Sequence, residues 1–128
     1  MSKSENAPTN SELEILTVLW EIEQGTAREV HEQLSRVKST GYTTTLKIIQ
    51  NMYEKDLLNR EPKGQTHIYA PAVRKEQIQR NLLGGFVNKV FGGSSKQLII
   101  QALGNDQPTR EELDEIRAML DKIEKDNS

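Results

Sequence analysis

The side chains best suited to chemistry lie in one stretch, Gly41 to Leu58, where hydroxyls, an amide and a cation recur at helical spacing. On a helix of about 3.6 residues per turn, one side carries mostly polar groups with Ile48 at its margin: Thr43, Thr44, Lys47, Asn51 and Glu54. The other side is typical of a core face: Tyr42, Thr45, Leu46, Ile49, Met52 and Tyr53. The polar side favours reading of base edges and phosphates in a DNA major groove. An amphipathic helix with a merely solvated polar face is the alternative that this stretch leaves open.

Two shorter helices are predicted before this stretch. Ser11 with Glu14 fits a capping box at the start of the first helix, and Thr26 with Glu29 fits another at the start of the second. The apolar stripe of the first helix runs to about residue 23: Leu13, Leu16, Leu19 and Trp20. The second helix has its own apolar edge: Ala27, Val30 and Leu34. Two helices and a turn that lead into a third are the order of a helix-turn-helix.

A basic hairpin is predicted directly after the third helix. Residues 57–61 and 66–70 read as two short strands, and Pro62 to Gln65 form a turn in which glycine supplies a permissive backbone. This order predicts a winged helix, with Arg60 and Lys63 beside the phosphate backbone. A solvated hairpin edge is the other interpretation of these two cations.

From Arg74 onward the pattern predicts helices only. The apolar residues of this half that we predict at a dimer interface are Ile78, Leu82, Phe86, Val90, Leu98, Ile99, Leu113, Ile116, Leu120 and Ile123. Gly84-Gly85 and Gly92-Gly93 are interpreted as kinks or turns, and Thr109 with Glu112 as a third capping box. About fifty residues are too few for a comfortable core of their own. A second copy of the chain is the economical cover for these helices, and packing onto the winged-helix half is the alternative.

Charge and composition narrow the function classes. The net charge of the chain is −2, but residues 28–80 hold ten Lys or Arg against six acids. The positive charge therefore collects around the candidate DNA-reading helix. The chain has no cysteine, and His31 and His67 are isolated, so surface roles are favoured and no metal or cofactor is predicted. No catalytic fingerprint, signal peptide or membrane span is visible, so we expect a cytoplasmic protein that is not an enzyme.

Several segments together resemble the penicillinase repressor (BlaI/MecI) family of bacterial transcriptional repressors. They are E-L-E-I-L-T-V-L-W, Y-T-T-T-L-K-I-I-Q-N-M-Y-E-K-D-L-L, the hairpin with I-Y-A-P, and F-V-N-K-V-F-G-G. The resemblance extends from about Glu12 to Ile123. It implies a homodimer with an N-terminal winged helix and an intertwined C-terminal helical domain. It also implies operators with inverted TACA and TGTA half-sites. Repression would be relieved by proteolysis of the C-terminal domain after a membrane-bound sensor protease detects a β-lactam.

Three positions depart from the family pattern. Asn51 stands where arginine is common, which removes a phosphate contact or reorganises the helix face. Asp56 stands where glycine is common, so the turn after the helix is expected to be made differently. The family's cleavage site falls near Gln101-Ala102, where better-known members carry Asn-Phe.

The predicted fold class is mainly α (α+β), a winged helix-turn-helix with a small β-hairpin wing plus a helical dimerisation domain. The predicted bounds are 1–10 for a disordered tail, 11–72 for the winged helix and 73–126 for the dimerisation domain. The predicted DNA-binding residues are Tyr42, Thr43, Thr44, Lys47, Asn51, Arg60 and Lys63. The predicted function is sequence-specific repression by a homodimer on palindromic operators. A winged-helix module that binds protein and an activator or architectural DNA-binding protein are the alternatives.

Overall fold

The computed structural model describes residues 7–105 and 107–127, so most of the predicted disordered tail lies outside the described residues. Within them the chain forms six helices and one antiparallel hairpin. The elements are α1 (Asn10–Ile22), α2 (Ala27–Leu34), α3 (Tyr42–Glu54), β1 (Leu58–Lys63), β2 (Thr66–Pro71), α4 (Lys75–Phe91), α5 (Ser95–Asn105) and α6 (Arg110–Asp126). The chain divides between Gln79 and Arg80, inside α4, into two compact units. The mainly α fold class with a hairpin wing is confirmed.

The first helix begins earlier than the sequence suggests. Thr9 and not Ser11 is the N-cap of α1, and its side chain accepts a hydrogen bond from the Glu12 amide at 3.2 Å. The Glu12 carboxylate accepts from the Thr9 amide at 2.9 Å and from Lys55 Nζ at 2.7 Å. Glu14 instead pairs with Lys38 at 2.9 Å. The predicted Ser11–Glu14 capping box was wrong. The sequence permits a Thr9–Glu12 box as well, and the pairing of Glu14 with Lys38 leaves the Thr9–Glu12 box as the one that forms. The boxes at Thr26 and Thr109 are confirmed.

The core of the N-terminal unit lies where α1, α2, α3 and the hairpin meet. Its buried members are Ile15, Leu16, Leu19, Ala27, Val30, Leu34, Ile49, Met52, Leu57, Leu58 and Tyr69. The predicted apolar edges of α2 and α3 supply most of the residues that pack against α1. This packing fixes one face of α3 in the protein and leaves the opposite face to solvent.

The hairpin is the wing of the fold. Its strands pair in antiparallel register from Leu58 opposite Pro71 to Lys63 opposite Thr66. The first of the two turn residues, Gly64, has φ 60°, as type II′ hairpins require. Gly25 exchanges two backbone hydrogen bonds with Tyr69, at 2.9 and 2.8 Å. A single residue between α1 and α2 thus forms an isolated β-bridge that anchors the two-stranded hairpin to the helices.

The helices of the C-terminal unit expose much of their apolar surface. Gly92 and Gly93 have positive φ and end α4 as predicted. Gly84-Gly85 do not form a turn, because the helix continues through both residues. Val87 is buried, but α5 and α6 contain no buried residue among those described. The exposed large apolar side chains of this unit are Leu82, Leu83, Phe86, Val90, Ile99, Ile100, Leu103, Met119, Leu120 and Ile123.

Candidate nucleic-acid interface

The polar face of α3 is open to solvent along its length. Thr43, Thr44, Lys47 and Asn51 are all exposed. The N-cap of the helix, Gly41, contributes no side-chain hydrogen bond. The first amides of α3 are therefore not covered by a capping side chain, and the positive end of the helix dipole lies beside the two threonine hydroxyls. Hydroxyls, an amide and an ammonium on one exposed helix face can donate to phosphates and to base edges.

Thr45 has the opposite environment from its two neighbours. It is fully buried, and its hydroxyl donates to the Gly41 carbonyl at 3.3 Å. The same hydroxyl is hydrogen bonded to His31 Nδ1 at 3.0 Å. His31 Nε2 is hydrogen bonded to the Ser35 hydroxyl at 3.2 Å. The prediction of a plain surface role for His31 was wrong, because its half-buried ring connects α2 to the first turn of α3.

An arginine stacks on a tyrosine at each end of α3. The guanidinium carbon of Arg28, from α2, lies 4.3 Å from the centroid of the Tyr42 ring, and that of Arg60, from β1, lies 4.0 Å from the Tyr53 ring. The edge of the His31 ring also contacts Tyr42, with centroids 5.7 Å apart. Tyr42 is half-buried and packs against the core. It therefore lies at the flank of the polar face and supports a cation there.

The wing extends this cationic border. Arg60 and Lys63 are both exposed. Hydrogen bonds from the Thr26 backbone and side chain lower the pKa of Glu29, and attraction to Lys63 adds a smaller lowering. The tip of the wing thus lies close enough to the start of α2 for the two charges to interact. The tip of the wing and the start of α2 therefore border the same part of the N-terminal unit.

The end of α3 is a Schellman motif built without glycine. Asp56 has φ 63°, a left-handed conformation that aspartate tolerates better than most residues. The Leu57 amide donates to the Met52 carbonyl at 2.9 Å, and the Asp56 amide donates to the Tyr53 carbonyl at 3.1 Å. The expectation that this turn is made differently was wrong, because Asp56 adopts the conformation that a glycine would provide. The motif directs the chain from α3 into the strand that carries Arg60.

Sequence reasoning placed the exposed face of α3 and missed Arg28. Ile48, the other margin of α3, is half-buried and packs against the core. Arg28 lies fourteen positions before Tyr42, outside any helical or strand periodicity that would pair them. Arg28 lies near the start of α2, the first helix of the helix-turn-helix, and that helix crosses the DNA backbone in such folds. This position was the one signal in the sequence for a role of Arg28 in DNA binding. The contact with Tyr42 exists only in three dimensions.

A winged helix-turn-helix with a solvent-exposed polar helix and a cationic border defines a class of DNA-binding regulators. Comparisons with known proteins agree with this class. A model of the family described as penicillinase repressor matches residues 8–122. The chain belongs to the penicillinase repressor family, and the resemblance stated above is confirmed. This is a family of transcriptional repressors and not of enzymes.

The relatives are distant but match along almost the whole chain. The penicillinase repressor of Staphylococcus aureus is 23% identical over 115 residues, which cover 90% of this chain and 91% of that protein. The penicillinase repressor of Bacillus licheniformis is 24% identical over 114 residues and 89% of each chain. A solution structure of monomeric Bacillus licheniformis BlaI in complex with the blaP half-operator has TM-score 0.48 and 23% identity. It covers 54% of this chain and 84% of that one.

Proposed function

We propose that this chain represses transcription by binding DNA operators as a homodimer through the polar face of α3. The observation that carries the proposal is the exposure of Thr43, Thr44 and Lys47 on a helix whose other face is locked into the core. The fold class and the family of repressors support the same function. As a repressor the chain would act in the cytoplasm. No described helix is both long and apolar enough to cross a membrane.

Base reading and backbone positioning fall to different parts of this surface. The hydroxyls of Thr43 and Thr44, with Lys47 and Asn51, would meet base edges and nearby phosphates in the major groove. Arg60 and Lys63 would hold phosphates and set the register without reading sequence. We propose inverted TACA and TGTA half-sites, spaced so that two copies of α3 enter grooves about one helical turn apart.

The homodimer is proposed from the apolar surface of the C-terminal unit. Ten large apolar side chains of this unit, from Leu82 to Ile123, are each more than a third exposed. Apolar side chains scattered singly over a surface need no partner, but this many in one small unit indicate an interaction surface. Leu113 and Ile116 are half-buried next to the more exposed Leu120 and Ile123 on one side of α6. The predicted interface residue Ile78 differs, because it is already buried within the single chain, where only 8% of its surface is exposed. A second copy would cover the exposed set and place two winged helices on one duplex.

Relief by proteolysis is proposed for the segment around Gln101 and Ala102. Both residues are exposed and lie in α5, a helix without buried side chains. A protease binds an extended segment, so α5 would have to open locally before cleavage. In a chain that no partner covers, a helix with few buried contacts opens at a low free-energy cost. A membrane-bound sensor protease that detects a β-lactam would supply the cut.

Titration of duplex DNA at two salt concentrations tests the proposal. The probe is a duplex with inverted TACA and TGTA half-sites, and the control is a scrambled duplex of equal length and composition. We expect tighter binding to the inverted repeat, two chains per duplex, and affinity that falls as salt rises. An absence of salt-dependent duplex binding would overturn the proposal and favour a module that docks on protein. Activity of a promoter fusion in a deletion strain separates a repressor from an activator.

A further inference from the structure

We propose that Arg28, whose guanidinium carbon lies over the Tyr42 ring 4.3 Å from its centroid, is a phosphate-binding residue. Together with Arg60 on Tyr53 it would form a pair of clamps that hold the DNA backbone at the two ends of α3. The inference rests on the proposed DNA binding and deepens it, since it assigns the partner of a residue that lies outside the exposed face of α3. The partner chemistry is a backbone phosphodiester, without base specificity.

Both guanidinium groups lie over an aromatic ring, and neither pairs with a carboxylate in the part of the chain that the structure describes. Among the described residues the ion pairs join Lys38 to Glu14, Lys55 to Glu12 and Arg117 to Asp114, and neither clamp arginine belongs to one. Stacking uses the face of a guanidinium and leaves its N–H edges open. Those edges match the oxygens of a phosphate in a bidentate geometry. A stacked arginine also loses less conformational freedom on binding than a free one.

The two clamps lie on the same side of α3. Tyr42 and Tyr53 are eleven residues apart, which is close to three full turns at about 100° per residue and about 16 Å along the axis. The major groove is about 12 Å wide. Two arginines on one flank at this separation can therefore each reach a phosphate that borders a groove that α3 enters.

The support for Arg28 is itself fixed. The Tyr42 ring contacts His31, whose Nδ1 is hydrogen bonded to the buried Thr45. Glu29, the next residue along α2, is a nearby carboxylate that could compete for Arg28. Its carboxylate accepts a hydrogen bond from the Thr26 amide at 2.8 Å. That bond holds the carboxylate at the helix start, where it satisfies an amide instead of pairing with Arg28.

Salt-dependent titration of Arg28→Ala tests the clamp. The loss of one phosphate contact lowers the slope of log affinity against log salt by about 0.9, which is roughly eightfold for each tenfold change in salt. We expect this change on the inverted repeat and on the scrambled duplex alike, because a phosphate contact carries no sequence information. Arg36→Ala is the matched control, since Arg36 is an exposed arginine two residues past the C-terminal end of α2, and it should keep the wild-type slope.

Arg28→Lys separates the charge from the stack. Lysine keeps the charge but lacks the planar fork, so we expect a near wild-type slope with binding weakened severalfold. If the wild type binds with a steep slope and Arg28→Ala behaves like Arg36→Ala, the clamp is overturned while the proposed function stands. Wild-type affinity for Arg28→Lys would overturn the role of the Tyr42 stack. A wild-type chain without salt-dependent binding would overturn the proposed function, and this inference with it.

Discussion

Replacement of Leu120 by alanine should weaken self-association of the chain by a measurable factor. Leu120 is 55% exposed in the single chain, and the substitution removes the equivalent of three methylene groups, each worth about 0.8 kcal/mol when buried. If a partner covers the exposed fraction, the loss is about 1.3 kcal/mol per copy and about 2.6 kcal/mol per dimer. That free energy corresponds to a dissociation constant raised roughly 70-fold.

Sedimentation equilibrium over a range of protein concentrations measures this constant. Val37→Ala is the matched control, because Val37 is a 79% exposed apolar side chain of the N-terminal unit. We expect its dissociation constant to stay within about twofold of the wild-type value, since an exposed side chain outside the interface adds little. A wild-type chain that is monomeric at micromolar concentration, or a Leu120→Ala constant as small as that of Val37→Ala, would refute the reasoning.

Two further predictions concern local structure around the interface. Asp56→Gly should raise the free energy of unfolding by about 0.5–1 kcal/mol in urea titrations, because glycine adopts the positive φ of the Schellman motif without the steric cost that an L-residue carries. Asp56→Ala should lower the free energy of unfolding. Equal effects of the two substitutions would contradict the left-handed conformation assigned to Asp56. The lowered pKa of Glu29 means that its contribution to stability is present above its ordinary pKa of 4.5 and is lost as pH falls through the lowered value. The unfolding free energy of Glu29→Gln should therefore fall less between pH 7 and pH 3 than that of the wild type, and identical falls would refute the shift.

The sequence predicted the two faces of α3 because a helical period sorts residues by side without reference to the rest of the chain. Thr43, Thr44 and Lys47 are exposed, and Ile49 and Met52 are buried, as that period requires. The hairpin was also predictable, since a turn glycine between two short strands is a local signal. Its strands extend to Lys63 and Pro71, slightly beyond the predicted ends, because pairing continues as far as the two-residue turn.

The features that sequence reasoning missed all depend on contacts between distant parts of the chain. Thr9 rather than Ser11 caps α1, and the Glu12 carboxylate of that capping box also pairs with Lys55 at the end of α3. His31 joins α2 to α3 through Thr45, and Arg28 finds Tyr42, at separations that no helical period links. Local chemistry names the residues able to make such contacts, but only the packed fold decides which of them meet.

The central claim is that α3 reads base sequence, and Thr44→Ala tests it most directly. Affinities for the inverted repeat and for the scrambled duplex are measured in parallel, with Thr17→Ala on α1 as the control threonine. The account predicts a loss of roughly 1–3 kcal/mol on the inverted repeat, little change on the scrambled duplex, and no loss for Thr17→Ala. An equal loss on both duplexes, or no loss on either, would contradict the claim that this face of α3 reads DNA.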